Sequence, residues 1–273
     1  MLEVTASPLT QEQFKSKMRK IQAVLFDSAL AVGLKVHDRL VGGHIHLDKK
    51  GHFGSNELLM RNFIVDLFNH SELFMGVLSL DYVNAPPVTT LGRNALEDLR
   101  QIITDYDKKT IGLETFLDLV NGRVYLQGES IQKDSKYQAV NLQNEETIEV
   151  RGFRPQKSAI HYYDMISLLE ARIEYLKAIP GPIKFTGEDQ STQIKWAEVR
   201  GLHSYQTKYS PEMRAMRFYQ YVTEAGLDWD SYKNYPVDKA VREESIKLKN
   251  PNSFVKEPSK KGAPRACKVI VGP

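Results

Sequence analysis

The sequence predicts an α+β fold, with an antiparallel sheet that is polar on one face and covered by helices on the other. Three observations carry this. The stretches 41–47 and 147–153 alternate apolar and polar residues with the period of two that half-buried strands show. Elsewhere apolar residues recur at helical spacing, without the regular strand–helix alternation of a parallel sheet. With 273 residues, 41% of them hydrophobic, the chain is long enough to bury a core of that kind.

Taken in order, 2–6 reads as a short strand closed by Ser7-Pro8. Thr10 with Gln13 three residues on is a capping-box signature, and Phe14, Met18, Ile21, Leu25 and Ala29 follow at helical spacing up to Gly33. After the strand at 41–47, a helix is expected over 55–68 and an apolar segment over 73–80, before Pro86-Pro87 breaks the chain. Helical patterns resume at 94–103 and 113–119. Strands at 137–142 and 147–153 flank the polar turn 143–146, and an amphipathic helix over 162–179 stops at Pro180-Gly181-Pro182. A further helical pair is expected at 194–205 and 211–225. The implied division is a core at 1–180, a helical C-terminal extension at 181–240 and a basic flexible tail at 241–273.

Charge and composition exclude several classes. Basic and acidic residues number 37 and 34, which argues against wholesale disorder and against a globally basic nucleic-acid binder. The charge is uneven, however: 247–268 holds seven Lys or Arg against Glu257 alone. That tail suits a solubilising linker or assembly arm better than a nucleic-acid site, since only Phe254 interrupts it with an aromatic ring. A single cysteine, Cys267, excludes an internal disulfide framework and a Cys-rich zinc module. No apolar run approaches the ~18 residues of a membrane span, and no signal peptide opens the sequence, so a cytoplasmic protein is expected. Walker, dinucleotide-binding, Gly-x-Ser-x-Gly and His-Glu-x-x-His motifs are absent.

Two strands carry the chemistry. In Gly42-Gly43-His44-Ile45-His46-Leu47-Asp48, strand parity puts His44, His46 and Asp48 on one face and Ile45 and Leu47 on the other. In Thr147-Ile148-Glu149-Val150-Arg151, the same parity separates Thr147, Glu149 and Arg151 from Ile148 and Val150. A carboxylate and a guanidinium two residues apart suit a cation and an anionic substrate held side by side. Each pattern has a plainer reading: solvated surface for His-x-His, a cross-strand ion pair for Glu-x-Arg. The residues alone give a candidate metal and anion site on the open face of an antiparallel sheet.

Gly43-His44-Ile45-His46 resembles the Gly-x-His-x-His strand of the glutamine synthetase and glutamate–cysteine ligase superfamily. Thr147-Ile148-Glu149-Val150-Arg151 is similar to that superfamily's Ile-Glu-Val-Arg strand. The order of motifs is most like the amidoligase branch, which includes bacteriophage carboxylate–amine ligase-like proteins. Leu2-Glu3-Val4-Thr5-Ala6-Ser7-Pro8 stands at the first motif position, and Tyr137-Gln138-Ala139-Val140-Asn141-Leu142 precedes the Glu-x-Arg strand, so the likeness spans about residues 2–179.

The resemblance implies a glutamine-synthetase-like sheet and an ATP- and magnesium- (or manganese-) dependent carboxylate–amine ligase. His44, Glu149 and Glu3 would ligate metal, His46 and Thr147 would lie at the nucleotide, Arg151 would neutralise the acyl phosphate, and Asn141 would line the site. Its partners would be an acid and an amine, with homo-oligomer or assembly contacts, in the host cytoplasm or a virion if phage-encoded. The family's sheet opens with a Glu-x-Glu strand that has no counterpart here. The expectation is therefore a shortened product, a partner chain supplying that strand, or a catalytically inactive fold retained as a structural component, for example of a phage particle.

Overall fold

A computed structural model describes residues 9–34, 43–70, 73, 77–78, 93–126, 140–186, 193–196, 203–206 and 209–249. Helix α1 (Gln11–Ile21) opens on the expected capping box: Gln13 N donates to Thr10 Oγ1 over 3.1 Å and Thr10 N to Gln13 Oε1 over 3.0 Å. It runs through one wide π-helical stretch, Gln22–Asp27, into α2 (Ser28–Ala31), and Gly33 follows at φ +80°. Strand β1 (Gly43–Asp48) leads directly into the short α3 (Lys49–Phe53) and then α4 (Glu57–Asn69). Helices α5 (Arg93–Asp107) and α6 (Leu113–Leu126) pack on each other. Strands β2 (Val140–Asn141) and β3 (Thr147–Phe153) precede the long α7 (Ala159–Lys177). Then come β4 (Gln193–Trp196), β5 (His203–Gln206), α8 (Pro211–Glu224), α9 (Trp229–Tyr232) and α10 (Lys239–Lys247).

The main sheet is antiparallel with order β1-β3-β2, so the chain is α+β as expected. Parity holds on both long strands. Ile45, Leu47, Ile148 and Val150 are buried in the core, while His44, His46 and Arg151 keep contact with solvent. The buried residues of the sheet share one core with those of α4 and α7, which pack on each other. Of the core-facing stripe that the spacing predicts for α7 (Tyr162, Tyr163, Met165, Ile166, Leu169, Ile173 and Leu176), Met165, Leu169, Ile173 and Leu176 are buried and Tyr162, Tyr163 and Ile166 half-buried; Trp229 is wholly buried between α8 and the end of α10.

Helix α4 is buried on every side from Leu59 to Asn69, so its polar residues all have to be matched. Asp66 takes a bidentate bond from Arg172 of α7, 2.8 Å on each oxygen. Arg61 pairs with Asp107 of α5 at 2.7 Å. Asn62 and Asn69 grip the backbone of the chain leaving α7. Asn62 donates to Gly181 O (2.9 Å) and accepts from Ile183 N (3.1 Å); Asn69 donates to Lys184 O (2.8 Å) and accepts from Thr186 N (2.7 Å). Another tie joins α3 to α7: His52 lies 2.9 Å from the Asp48 carbonyl through Nδ1 and 2.9 Å from Glu170 Oε1 through Nε2.

The C-terminal half departs from the sequence reading. Residues 194–196 and 203–205 are strand rather than helix: they belong to an antiparallel pair in which Ile194 opposes Tyr205 and Trp196 opposes His203, and 197–202 lie outside the described residues. β-Branched and aromatic residues such as Ile194, Trp196 and Tyr205 suit paired strands. Among the described residues of the extension at 181–240, strands precede the helices, which start at Pro211. Helix α10 covers the first residues assigned to the tail and packs on α8, with Val241 and Ser245 buried. Residues 250–273, the rest of the tail, lie outside the described residues, as does the short strand at 2–6. Among the described residues no helix is long and apolar enough to cross a membrane.

Candidate functional site on the open face of the sheet

Glu149 is the centre of the polar face. It sits on the middle strand, opposite His46 of β1 on one side and Asn141 of β2 on the other. Residues two apart on a strand are about 6.6 Å apart along it. Gly43 pairs with Phe153 but Ile45 with Val150, so Arg151 and Gly152 of β3 stand opposite His44 alone, a bulge on β3 of the kind that re-aims a side chain. As a result both imidazoles converge on one oxygen: His44 Nδ1 is 3.0 Å and His46 Nε2 3.7 Å from Glu149 Oε1. Arg151 Nη1 donates to the same oxygen over 2.6 Å, and Asn141 Nδ2 donates to Oε2 over 2.9 Å. Thr147 Oγ1 lies 3.3 Å from His46 Nδ1, on the ring's other edge.

These contacts fix the charge of Glu149. Burial alone would push its carboxyl up. Hydrogen bonds from His44 and Asn141, with the charges of Arg151 and His44, outweigh that and hold it down at about 2. Glu149 is thus a permanent carboxylate, with its side chain 8% exposed, while His46 beside it is 51% exposed. The arrangement offers an incoming molecule two imidazole edges and a guanidinium on an anionic floor.

Six of the seven residues singled out in the sequence meet here: His44, His46, Asn141, Thr147, Glu149 and Arg151. Glu3 lies outside the described residues. Asp48 shares their face by parity but is used differently. Its Oδ1 accepts from Lys50 N over 3.0 Å and caps α3. Gly43 does give close approach, as its position at the strand's start suggests, but to the protein itself. A Cβ there would fall 2.2 Å from Gln156 Nε2. Sequence reasoning missed Asn121 of α6, whose Oδ1 accepts from Leu142 N over 3.3 Å and so steadies the strand bearing Asn141. Nothing local at 121 signals that contact.

The fit to a divalent cation is partial. Two ligands at right angles on a cation with bonds of about 2.1 Å stand about 3.0 Å apart, which is the spacing of His44 Nδ1 and Glu149 Oε1. That makes one edge of a coordination shell, and Arg151 already occupies the same oxygen. Among the described residues no group of three or more His, Cys, Asp or Glu is placed to hold a metal ion. The described donors therefore do not make a resident metal site; they suit a cation that arrives with its own oxygen ligands.

No protein-family model, curated protein or solved structure matches the chain.

Proposed function

We propose that the chain is an ATP-dependent carboxylate–amine ligase that works on the open face of β1-β3-β2, in the manner of the amidoligase branch of the glutamine synthetase superfamily. ATP enters as its magnesium complex, so the cation comes with the substrate. The substrate carboxylate attacks the γ-phosphorus, ADP leaves, and the acyl phosphate loses phosphate when an amine attacks its carbonyl carbon. Arg151 neutralises the transferring phosphoryl group, where a fixed guanidinium lowers the barrier most. His44 and His46 present donors to phosphate oxygens, and Glu149 with Asn141 holds both side chains of its own strand pair in register. The observation that supports this most is the convergence of His44 and Arg151 on one Glu149 oxygen, which joins the His-x-His and Glu-x-Arg strands in one site.

Calorimetric titration of MgATP tests it, with His44→Ala and Glu149→Gln as controls. Binding that needs magnesium and disappears in both variants is the expected result. A folded protein that ignores millimolar nucleotide would remove ligase activity by this chain on its own. The saturation of Glu149 by its own neighbours favours one other reading: a fold kept for assembly, for example in a phage particle, with its polar face serving only stability. In that case Glu149→Gln lowers stability and no nucleotide binds.

A further inference from the structure

Three donors meet at Glu149, and together they fix the state of the His44 ring. An ionised carboxylate only accepts hydrogen bonds. Glu149 is a permanent carboxylate, so His44 Nδ1, 3.0 Å from its Oε1, carries a proton. A neutral imidazole has one N–H, which leaves Nε2 as a bare lone pair. Among the described residues nothing bonds that nitrogen, and the His44 side chain is 28% exposed against 8% for Glu149 behind it. Asn141 is held in the same sense. Its Oδ1 accepts from Gln143 N over 3.0 Å, so its amide nitrogen is the atom that faces Glu149 Oε2. His46 differs: its Nε2 is 3.7 Å from Oε1, beyond hydrogen-bond range, and its Nδ1 faces the Thr147 hydroxyl at 3.3 Å. No carboxylate sets its tautomer.

The gap between His44 Nδ1 and Glu149 Oε1 is thus filled by a proton. A divalent cation there would need the Nδ1 lone pair, and would stand beside the Arg151 guanidinium, whose Nη1 is 2.6 Å from the same oxygen. A buried carboxylate that orients an imidazole, with the far nitrogen unbonded, is instead the pattern of a general base and its orienting group. We propose that Glu149 and His44 form a proton-transfer dyad, in which His44 Nε2 takes a proton from the incoming ammonium group and passes it to the leaving phosphate. This rests on the ligase reading above and supplies its proton path. The ammonium nitrogen gives one proton to Nε2, and its freed lone pair forms the C–N bond to the carbonyl carbon of the acyl phosphate. The bond from that carbon to the phosphate oxygen breaks with its electron pair on oxygen. That oxygen takes the Nε2 proton, and hydrogen phosphate leaves. The surplus proton on the new amide nitrogen goes to water. Between the two transfers His44 is an imidazolium that presents a donor to phosphate, and the full charge of Glu149 stabilises it. Glu149 touches neither reactant, so it is the positioning residue and His44 the catalytic one.

Two measurements on the full chain test the two halves of this. With isotope-labelled histidine, long-range proton–nitrogen correlation spectra report which ring nitrogen carries the proton, and the signal missing from His44→Gln identifies His44. At alkaline pH its neutral ring should carry the proton on Nδ1, and Glu149→Gln should shift it towards Nε2. Millimolar magnesium alone should leave the Nδ1 proton in place. An Nε2–H ring in the parent protein, or loss of the Nδ1 proton to the metal, would overturn the dyad. Acetyl phosphate with methylamine then tests the transfer without ATP or the natural acid. The parent should speed the joint release of phosphate and N-methylacetamide, and His44→Gln should lower that rate by about 100-fold or more. Hydroxylamine is uncharged at neutral pH and needs no base, so its rate should fall far less. Equal losses with both amines, or no acceleration by the parent, would overturn the shuttle. Neither measurement uses ATP, so failure of the dyad and failure of MgATP binding are read separately.

Discussion

Replacing Arg172 by methionine should cost the fold about 3–5 kcal/mol. Arg172 is 3% exposed and makes two 2.8 Å bonds to Asp66, which is 1% exposed. Hydrogen bonds to charged partners are worth about 1.5–3 kcal/mol each, so the pair alone accounts for the loss. Its guanidinium also lies 4.5 Å from the Tyr175 ring and 4.3 Å from the Tyr221 ring, contacts that methionine keeps only in part. The larger penalty is the one left behind. Burial pushes the Asp66 carboxyl up, and the bonds and charges of Arg172 and His70 hold it down at about 2. Without Arg172 an uncompensated carboxylate remains in the core. Two signatures follow, both readable by urea unfolding with linear extrapolation. The deficit of Arg172→Met should shrink as the pH falls and the stranded Asp66 takes up a proton. Adding Asp66→Asn should restore at least half of the loss, because no buried charge is then unmatched. A loss under about 1 kcal/mol, or a double variant no better than the single one, would refute the assignment of the core's stability to this pair.

Three further outcomes are expected. His52 has an acceptor at each ring nitrogen; its bond to Glu170 lifts its pKa against burial, helped by the Asp48 carbonyl and by the charges of Glu170 and Asp48. A raised histidine contributes fully below its ordinary value of about 6.5 and that contribution is lost as pH rises through its folded value, so stability should fall as pH rises above the ordinary histidine value. His52→Gln should flatten that slope, and an unchanged slope would contradict the clasp. Ser245 is wholly buried and its hydroxyl has no hydrogen-bond partner among the described residues, so Ser245→Ala should be neutral or stabilising by up to about 1 kcal/mol, with a clear loss in thermal melting as the contrary result. Gly43→Ala should destabilise by about 1 kcal/mol, because the Gln156 amide it would meet has to swing away from its bond to Arg154 O. Adding Gln156→Ala should relieve it; absence of rescue would mean the strand backbone, not that side chain, demands glycine.

What could be read from the sequence was whatever short-range geometry decides. The Thr10–Gln13 box needs only four consecutive residues, and it forms. Strand parity needs only a period of two, and it sorted His44, His46, Glu149 and Arg151 onto one face before any pairing was known. Register and bulges depend on the partner strand, so the meeting of both imidazoles at one oxygen could not be read from either strand alone. Asp48 obeyed parity but was taken by the helix that starts after it, a local signal overlooked beside the longer pattern. The strand pair at Gln193–Trp196 and His203–Gln206 was misread because too few apolar positions separate a period of two from one near four. Asn62, Asn69 and Asn121 act on backbone far along the chain, and no sequence pattern announces such bonds.

The two asparagines of α4 also set a length. They stand seven residues apart, about 10.5 Å along a helix, and the backbone units they hold, 181–183 and 184–186, are offset by three residues, about 10 Å in extended chain. Helix and strand pitches coincide over that interval, so α4 works as a gauge that accepts only one count of residues after α7. Because every bond goes to main-chain atoms, exposed positions such as Pro182 and Lys184 are free to vary in kind. Their number is not. One residue inserted between Ile183 and Lys184 would displace the second grip by about 3.3 Å, too far for either asparagine to follow, and everything from β4 onwards would start from the wrong place.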